Sequence, residues 1–132
     1  MKKLFLILVV FSLSFIGCPG PHDSLDNNSP LLGTWTLSTW FSLEFDNSKN
    51  FVMIDIPPPG QQPWTARGTY SYTDDTVTFH NVRYELNYER WNGYTFIMDY
   101  QIVTEMNNQI LYLDRGNHER GGPLVKARLT KQ

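Results

Sequence analysis

One cysteine, three histidines and thirteen carboxylates are the side chains in this 132-residue sequence whose types can do chemistry, and their spacing limits what that chemistry is. His22, His80 and His118 lie far apart, and none has a second histidine at ligand spacing, so no metal site is expected. No nucleophile elbow and no phosphate-cradling glycine loop is present. Asp74 and Asp75 are adjacent carboxylates, but strand neighbours face opposite ways and a turn exposes both. A hairpin turn accounts for them better than an acid/base pair. Asp99 interrupts the apolar run FIMDYQIV on the face opposite Phe96, Met98 and Tyr100, and so reads as an outward residue. No catalytic residue and no cofactor is expected, and the chain reads as a non-enzyme.

Cys18 is the remaining reactive group, and its setting is specific. Met1-Lys2-Lys3 supplies a basic start, and Leu4 to Ile16 (LFLILVVFSLSFI) is thirteen residues without a charge. A helix of that length reaches roughly 20 Å against a hydrocarbon core about 30 Å thick. It is too short for a stop-transfer helix and has the layout of an export signal. An intramolecular disulfide is excluded because there is no second cysteine. A free thiol after an ordinary secretory signal is the alternative, but an exposed thiol is a liability in an oxidising compartment, which favours a chemical use for it.

The residues FIGC at Phe15 to Cys18 resemble a bacterial lipobox, in which a cysteine follows a small residue at the end of the apolar run. That resemblance implies cleavage between Gly17 and Cys18, a diacylglyceryl group on the Cys18 sulfur and a fatty acyl chain on the new amine. The implied product is exported and lipid-anchored at the bacterial cell envelope, with the outer membrane as the expected bilayer. Each buried methylene contributes about 0.8 kcal/mol, and stable anchoring needs more than one chain, a requirement that triacylation meets. Loss of Lys2 and Lys3 takes the 11 basic residues to 9 against 13 acidic, a net −4. That balance carries no electrostatic footprint for nucleic acid. Basic residues do gather late in the chain, at Arg115, Arg120, Lys126, Arg128 and Lys131, where a solvated final hairpin is the expected reading.

Composition together with the lipobox resemblance implies three segments: a signal peptide at 1–17, the lipidated Cys18 with a tether through 30, and a domain at 31–132. The tether, PGPHDSLDNNSP from Pro19 to Pro30, holds a single large aliphatic residue, too little to offset the entropy of ordering. From Leu31 the apolar pattern has period two, with turn residues between short runs. GTWTLS, FSLEF and FVMIDI come first, the last two separated by the polar turn DNSKN. PPPGQQP, Pro57 to Pro63, lacks four amide donors and must be a loop. The hairpin around Asp74-Asp75 places Tyr70, Tyr72, Val77 and Phe79 on one face. RYELNYER alternates Tyr84, Leu86 and Tyr88, and Trp91-Asn92-Gly93 turns the chain. YTFIMDYQIV, a turn at Met106 to Gln109, ILYLD, the loop Gly116 to Gly122 and LVKARLT complete the pattern.

No stretch after Cys18 keeps helical periodicity, so the domain is predicted all-β. About eight short strands in simple order predict an antiparallel meander closed, or nearly closed, into an up-and-down barrel, which removes sheet edges. LLGTWTL, LEFDNSKNF, ARGTYSYTDDTVTF and NQILYLDR resemble, in that order, the small lipocalin-like domains carried by bacterial lipoproteins. The resemblance implies a binding module for a small apolar ligand or an envelope or host protein. Trp35, Tyr70 and Phe96 are the expected interior residues, and Trp64 joins them as a ligand-binding candidate. Because large rings point inward, a filled barrel is expected over an open pocket. Recognition then moves to loops, and the Pro57 to Trp64 loop, with Trp64 as anchor, is the expected contact of the second reading, a structural or protease-inhibitor-like lipoprotein; a spacer loop with Trp64 packed on the barrel rim is the equal alternative.

Overall fold

A computed structural model describes residues 25–85, 92–118 and 124–132. The signal segment, Cys18 and His22 lie outside these residues, as do Leu86, Tyr88 and Trp91 and much of the Gly116 to Gly122 loop. Eight strands follow one another: β1 Gly33–Leu37, β2 Phe41–Phe45, β3 Asn50–Asp55, β4 Trp64–Tyr72, β5 Thr76–Glu85, β6 Tyr94–Glu105, β7 Asn108–Asp114 and β8 Lys126–Lys131. Each pairs antiparallel with its sequence neighbour, and β1 pairs with β8, so the sheet closes into an up-and-down barrel of lipocalin-like type. No helix occurs among the described residues.

Turn chemistry sets the register of each hairpin. Asp46 follows β2, and its Oδ1 accepts from the amides of Ser48 at 2.9 Å and Asn50 at 2.8 Å, which satisfies the turn before β3. Thr73 and Thr76 close the β4–β5 hairpin through Oγ1 contacts and a 2.9 Å backbone bond. The β6–β7 turn is tighter than the four residues expected. Met106 and Asn107 alone make it, with φ of 47° and 68°, the paired positive values that a two-residue turn matched to strand twist requires.

The segments TVTFHN and RYELNYER, separate by periodicity, belong to one strand as far as Glu85. A bulge joins them: Thr69 pairs with His80 and Arg67 with Arg83, leaving an extra β5 residue at Asn81, which takes φ of 50°. Gly68 lies opposite the bulge, where an added Cβ would stand 2.4 Å from the His80 carbonyl oxygen. Only a residue without a side chain allows the two backbones to meet there.

Inward positions carry the large side chains. Trp35, Leu43, Met53, Val77, Phe79, Met98, Leu111 and Leu129 are fully buried. Phe79 stands among three rings, at centroid distances of 4.8 Å from Phe51, 4.7 Å from Phe96 and 6.0 Å from Phe45. Phe45 meets Tyr70 edge-on at 4.7 Å. Burying such rings stabilises the barrel by roughly 2 to 3 kcal/mol each.

The packed unit starts earlier than the Leu31 boundary expected from composition. The Asp26 amide donates to the Asn47 carbonyl at 2.7 Å, and Asp26 Oδ2 accepts from the Tyr72 hydroxyl at 2.8 Å. Ser29 and Leu31 are buried, and the Trp35 indole donates to the Leu31 carbonyl at 2.7 Å. Polar residues that could not make a core of their own dock here by hydrogen bonding across the barrel end. Composition alone is blind to that mode of ordering.

Candidate functional site at one end of the barrel

The up-and-down order sends alternate connections to opposite ends. One end holds the arriving segment from Leu25, the β2–β3 turn, the β4–β5 turn and the β6–β7 turn. The other holds the β1–β2 turn, the Pro57 to Pro63 loop, and the β5–β6 and β7–β8 connections. Leu25 and Met106 are exposed at the first end, and a larger set of exposed apolar side chains lies at the second. Leu37, Trp40, Ile56, Tyr94 and Val125 are each between 44% and 58% exposed. The Ile56 amide donates to the Trp40 carbonyl at 2.6 Å, which ties the first turn to the start of the proline loop.

A layer of rings closes the barrel beneath this rim. Phe41 and Trp64 lie 6.3 Å apart and Trp64 and Tyr84 6.0 Å apart, all three buried. Burial raises the Tyr84 phenol well above its ordinary value of 10, with Arg115 opposing the shift in part. The same desolvation raises Tyr70. Packing thus holds both phenols in their neutral form.

The four residues singled out in the sequence therefore sit inside the barrel. Trp35, Tyr70 and Phe96 are interior as expected, and each is occupied by neighbours: the Tyr70 hydroxyl donates to the Asp46 carbonyl at 3.1 Å, and the Phe96 ring stacks on Phe79. For Trp64, burial favours the packed ring over the projecting anchor. Trp64 opens β4 opposite Asp55 with its ring turned into the core, so it is the floor of the rim and not an anchor projecting from the proline loop. Its parity on the strand, two residues before inward Ala66, is the signal that it points inward. The exposed tryptophan at this end, among the described residues, is Trp40, in a three-residue turn where alternation offers no guide.

Three other groupings bring polar side chains together. Ser71 Oγ lies 2.8 Å from His80 Nε2, a pairing brought about by cross-strand neighbours on the outer face of β4 and β5 and absent from any sequence motif. Among the described residues no carboxylate contacts the His80 ring, and the pair is exposed, so it lacks the orienting group and enclosed cleft of a nucleophile and base. Glu105, Tyr112 and Arg128 form a closed triad, with the Tyr112 hydroxyl 2.7 Å and Arg128 Nη2 2.5 Å from the Glu105 carboxylate. Hydrogen bonds from Tyr112 and then Arg128 hold the Glu105 carboxyl below its ordinary range. The triad lies on the outer face of the β6–β8 sheet and is structural. Asp99 is outward, as expected, and contacts His118 Nε2 at 2.7 Å.

Of the late basic residues, Arg120 lies outside the described residues, while Lys126 meets Asp114 at 3.0 Å and the Lys131 ammonium lies 5.3 Å from the centre of the Trp35 ring. Among the described residues no three His, Cys, Asp or Glu side chains are grouped so as to hold a metal ion. Fold and site together define an eight-stranded lipocalin-like barrel with a filled interior and an apolar rim at one end. No family model, no curated protein and no solved structure matches the chain.

Proposed function

We propose that this protein is a lipid-anchored lipoprotein of the bacterial envelope that acts as a non-catalytic binding module, meeting a protein partner with the apolar rim of its barrel. The observation that carries the reading is the placement of Leu37, Trp40, Ile56, Tyr94 and Val125 at the end opposite Leu25 and Asp26. A chain held through Cys18 arrives at the Asp26 end, so the rim faces away from the bilayer and toward whatever the envelope presents. Exposed apolar rings and aliphatics clustered around proline-stiffened loops are the composition of a recognition surface, because ordering them costs little and covering them releases water.

The ring-filled interior favours this protein-binding form over the carrier form. An apolar small molecule would have to rest on the Phe41, Trp64 and Tyr84 floor instead of entering the barrel. Two measurements test the proposal. Mass spectrometry of the protein purified from its own membranes should show Cys18 as an acylated N-terminus, and an intact Met1 or a free thiol would remove the anchor. Co-purification should retain a partner that Trp40→Ala with Ile56→Ser releases, the pair costing about 2 kcal/mol or more of binding if Trp40 is a buried anchor. Unchanged retention by the double variant would remove the rim from the reading. A response of apolar dyes that the double variant abolishes, with no retained protein, would instead favour the small-ligand form.

A further inference from the structure

We propose that the free edge of β6 from Gln101 to Glu105 is a docking strand for an extended, lysine- or arginine-rich polypeptide segment. This inference needs neither the lipid nor the apolar rim.

The strands that meet at this edge are unequal in length. β5 pairs with β6 only as far as the Thr76 and Asp99 match, whereas β6 continues to Glu105 with β7 as its sole strand neighbour among the described residues. The two-residue turn makes Glu105 and Asn108 a hydrogen-bonded pair, so Val103 and Gln101 also exchange bonds with β7. Ile102 and Thr104 then direct their N–H and C=O groups to the opposite side. Tyr100 has the same phase, and its amide does point that way, donating to the Asp75 carbonyl at 2.7 Å. Beyond it, the backbones of Ile102 and Thr104 find no backbone partner among the described residues.

Natural sheets protect such edges with charged side chains, lysine above all, with proline or with a bulge, and the one charge here, Glu105, is engaged by Tyr112 and Arg128. Gln101-Ile102-Val103-Thr104-Glu105 contains no lysine, proline or bulge and is rich in strand-forming types. A closed barrel thus retains a short, regular and unguarded ladder, the feature that strand addition uses.

Charge selects the occupant. The edge borders a groove of about 860 Å³ whose walls include Asp74, Asp75, Asp99 and Asp114. Asp99 faces His118 and Asp114 faces Lys126, but Asp74 and Asp75 have no basic partner among the described residues. An added strand with basic side chains at alternate positions would pair its backbone with Ile102 and Thr104 and set those side chains among the carboxylates. An acidic strand of the same length would be repelled.

The test uses the full-length chain and a blocked octapeptide of alternating lysine and threonine, beside the same peptide N-methylated at alternate amides. Binding should slow hydrogen exchange of the Ile102 and Thr104 amides at least about tenfold, and N-methylation in the pairing phase should weaken affinity by about tenfold or more, as loss of two strand hydrogen bonds implies. Thr104→Pro should abolish binding while leaving the barrel intact, because that amide makes no bond to β7. Asp74→Asn with Asp75→Asn should weaken binding several-fold and reduce its salt dependence. Equal affinity of parent and both possible phases of N-methylated peptide, or unaltered exchange at Ile102 and Thr104 under saturating peptide, overturns the proposal. So does equal binding of a glutamate-threonine octapeptide. If Thr104→Pro does not fold, the N-methylated peptides decide on the unsubstituted protein.

Discussion

The Tyr72 hydroxyl donates to the Asp26 carboxylate at 2.8 Å across 46 residues of sequence, and so fastens the segment before β1 to the far end of β4. With the Asp26 to Asn47 backbone bond it fixes the end of the barrel at which that segment arrives.

Removing that hydroxyl should loosen the arriving segment before it affects the barrel. Tyr72→Phe is expected to cost about 1 kcal/mol in urea unfolding. It should also speed exchange of the Asp26 amide, with the amides of β4 and β5 unchanged. Equal protection of Asp26 in both proteins would show that the backbone bond to Asn47 holds the segment without help.

Phe79 is the centre of the ring cluster, so Phe79→Ala should destabilise the protein by about 3 to 5 kcal/mol, the range for truncating a fully buried ring. The variant also opens space beside Phe96. Gain of binding to a small apolar dye by Phe79→Ala, absent from the parent protein, would show that the filled interior is what excludes ligands.

Gly68 is expected to tolerate no side chain. A Cβ at 2.4 Å from the His80 carbonyl and 2.9 Å from the Phe51 ring must displace backbone, so Gly68→Ala should cost about 1 to 3 kcal/mol in the same unfolding measurement. Full stability of Gly68→Ala would mean that the bulge at Asn81 shifts freely.

Acid should destabilise the β6 to β8 face first. Glu105 is held below its ordinary 4.5 by Tyr112 and then Arg128, and Asp114 below 3.8 by the Gly116 amide and then Lys126. Depressed carboxyl values mean that the unfolded chain takes up protons first. The stabilisation is therefore present above about pH 4.5 and is lost as pH falls through the lower folded values. Chemical unfolding between neutral pH and acid should show this decline, and Glu105→Gln should flatten it. An unchanged slope in Glu105→Gln would assign the acid limb to other carboxylates.

Alternation of apolar and polar residues is enough to make most of the barrel legible in the sequence. Tyr70, Tyr72, Val77 and Phe79 share a face because their hairpin has regular register on both sides of its turn, and Phe96, Met98, Tyr100 and Ile102 do so along one unbroken strand. Legibility ends where period two ends. The bulge at Asn81 shifts parity between inward Phe79 and inward Val82, which makes one strand look like two. The candidate site is less legible for a related reason. Trp64 follows a proline loop and reads as part of it, although its strand parity puts it in the core, while Trp40 sits in a turn where no periodicity operates. Ser71 with His80, and the open ladder of β6, depend on how strands of unequal length meet, a property of pairing that no single segment contains.

Barrel closure has a kinetic meaning. β1 and β8 share two paired positions, and the Gln132 to Thr36 side-chain bond at the seam joins residues 96 apart. At about 5 to 20 residues per second of synthesis, the first strand waits roughly 5 to 20 seconds for the partner that seals it. Until then Thr34 and Thr36 present an open flank to other nascent chains, so the seam is where a chaperone has most to protect and where exchange of β8 between two copies would begin.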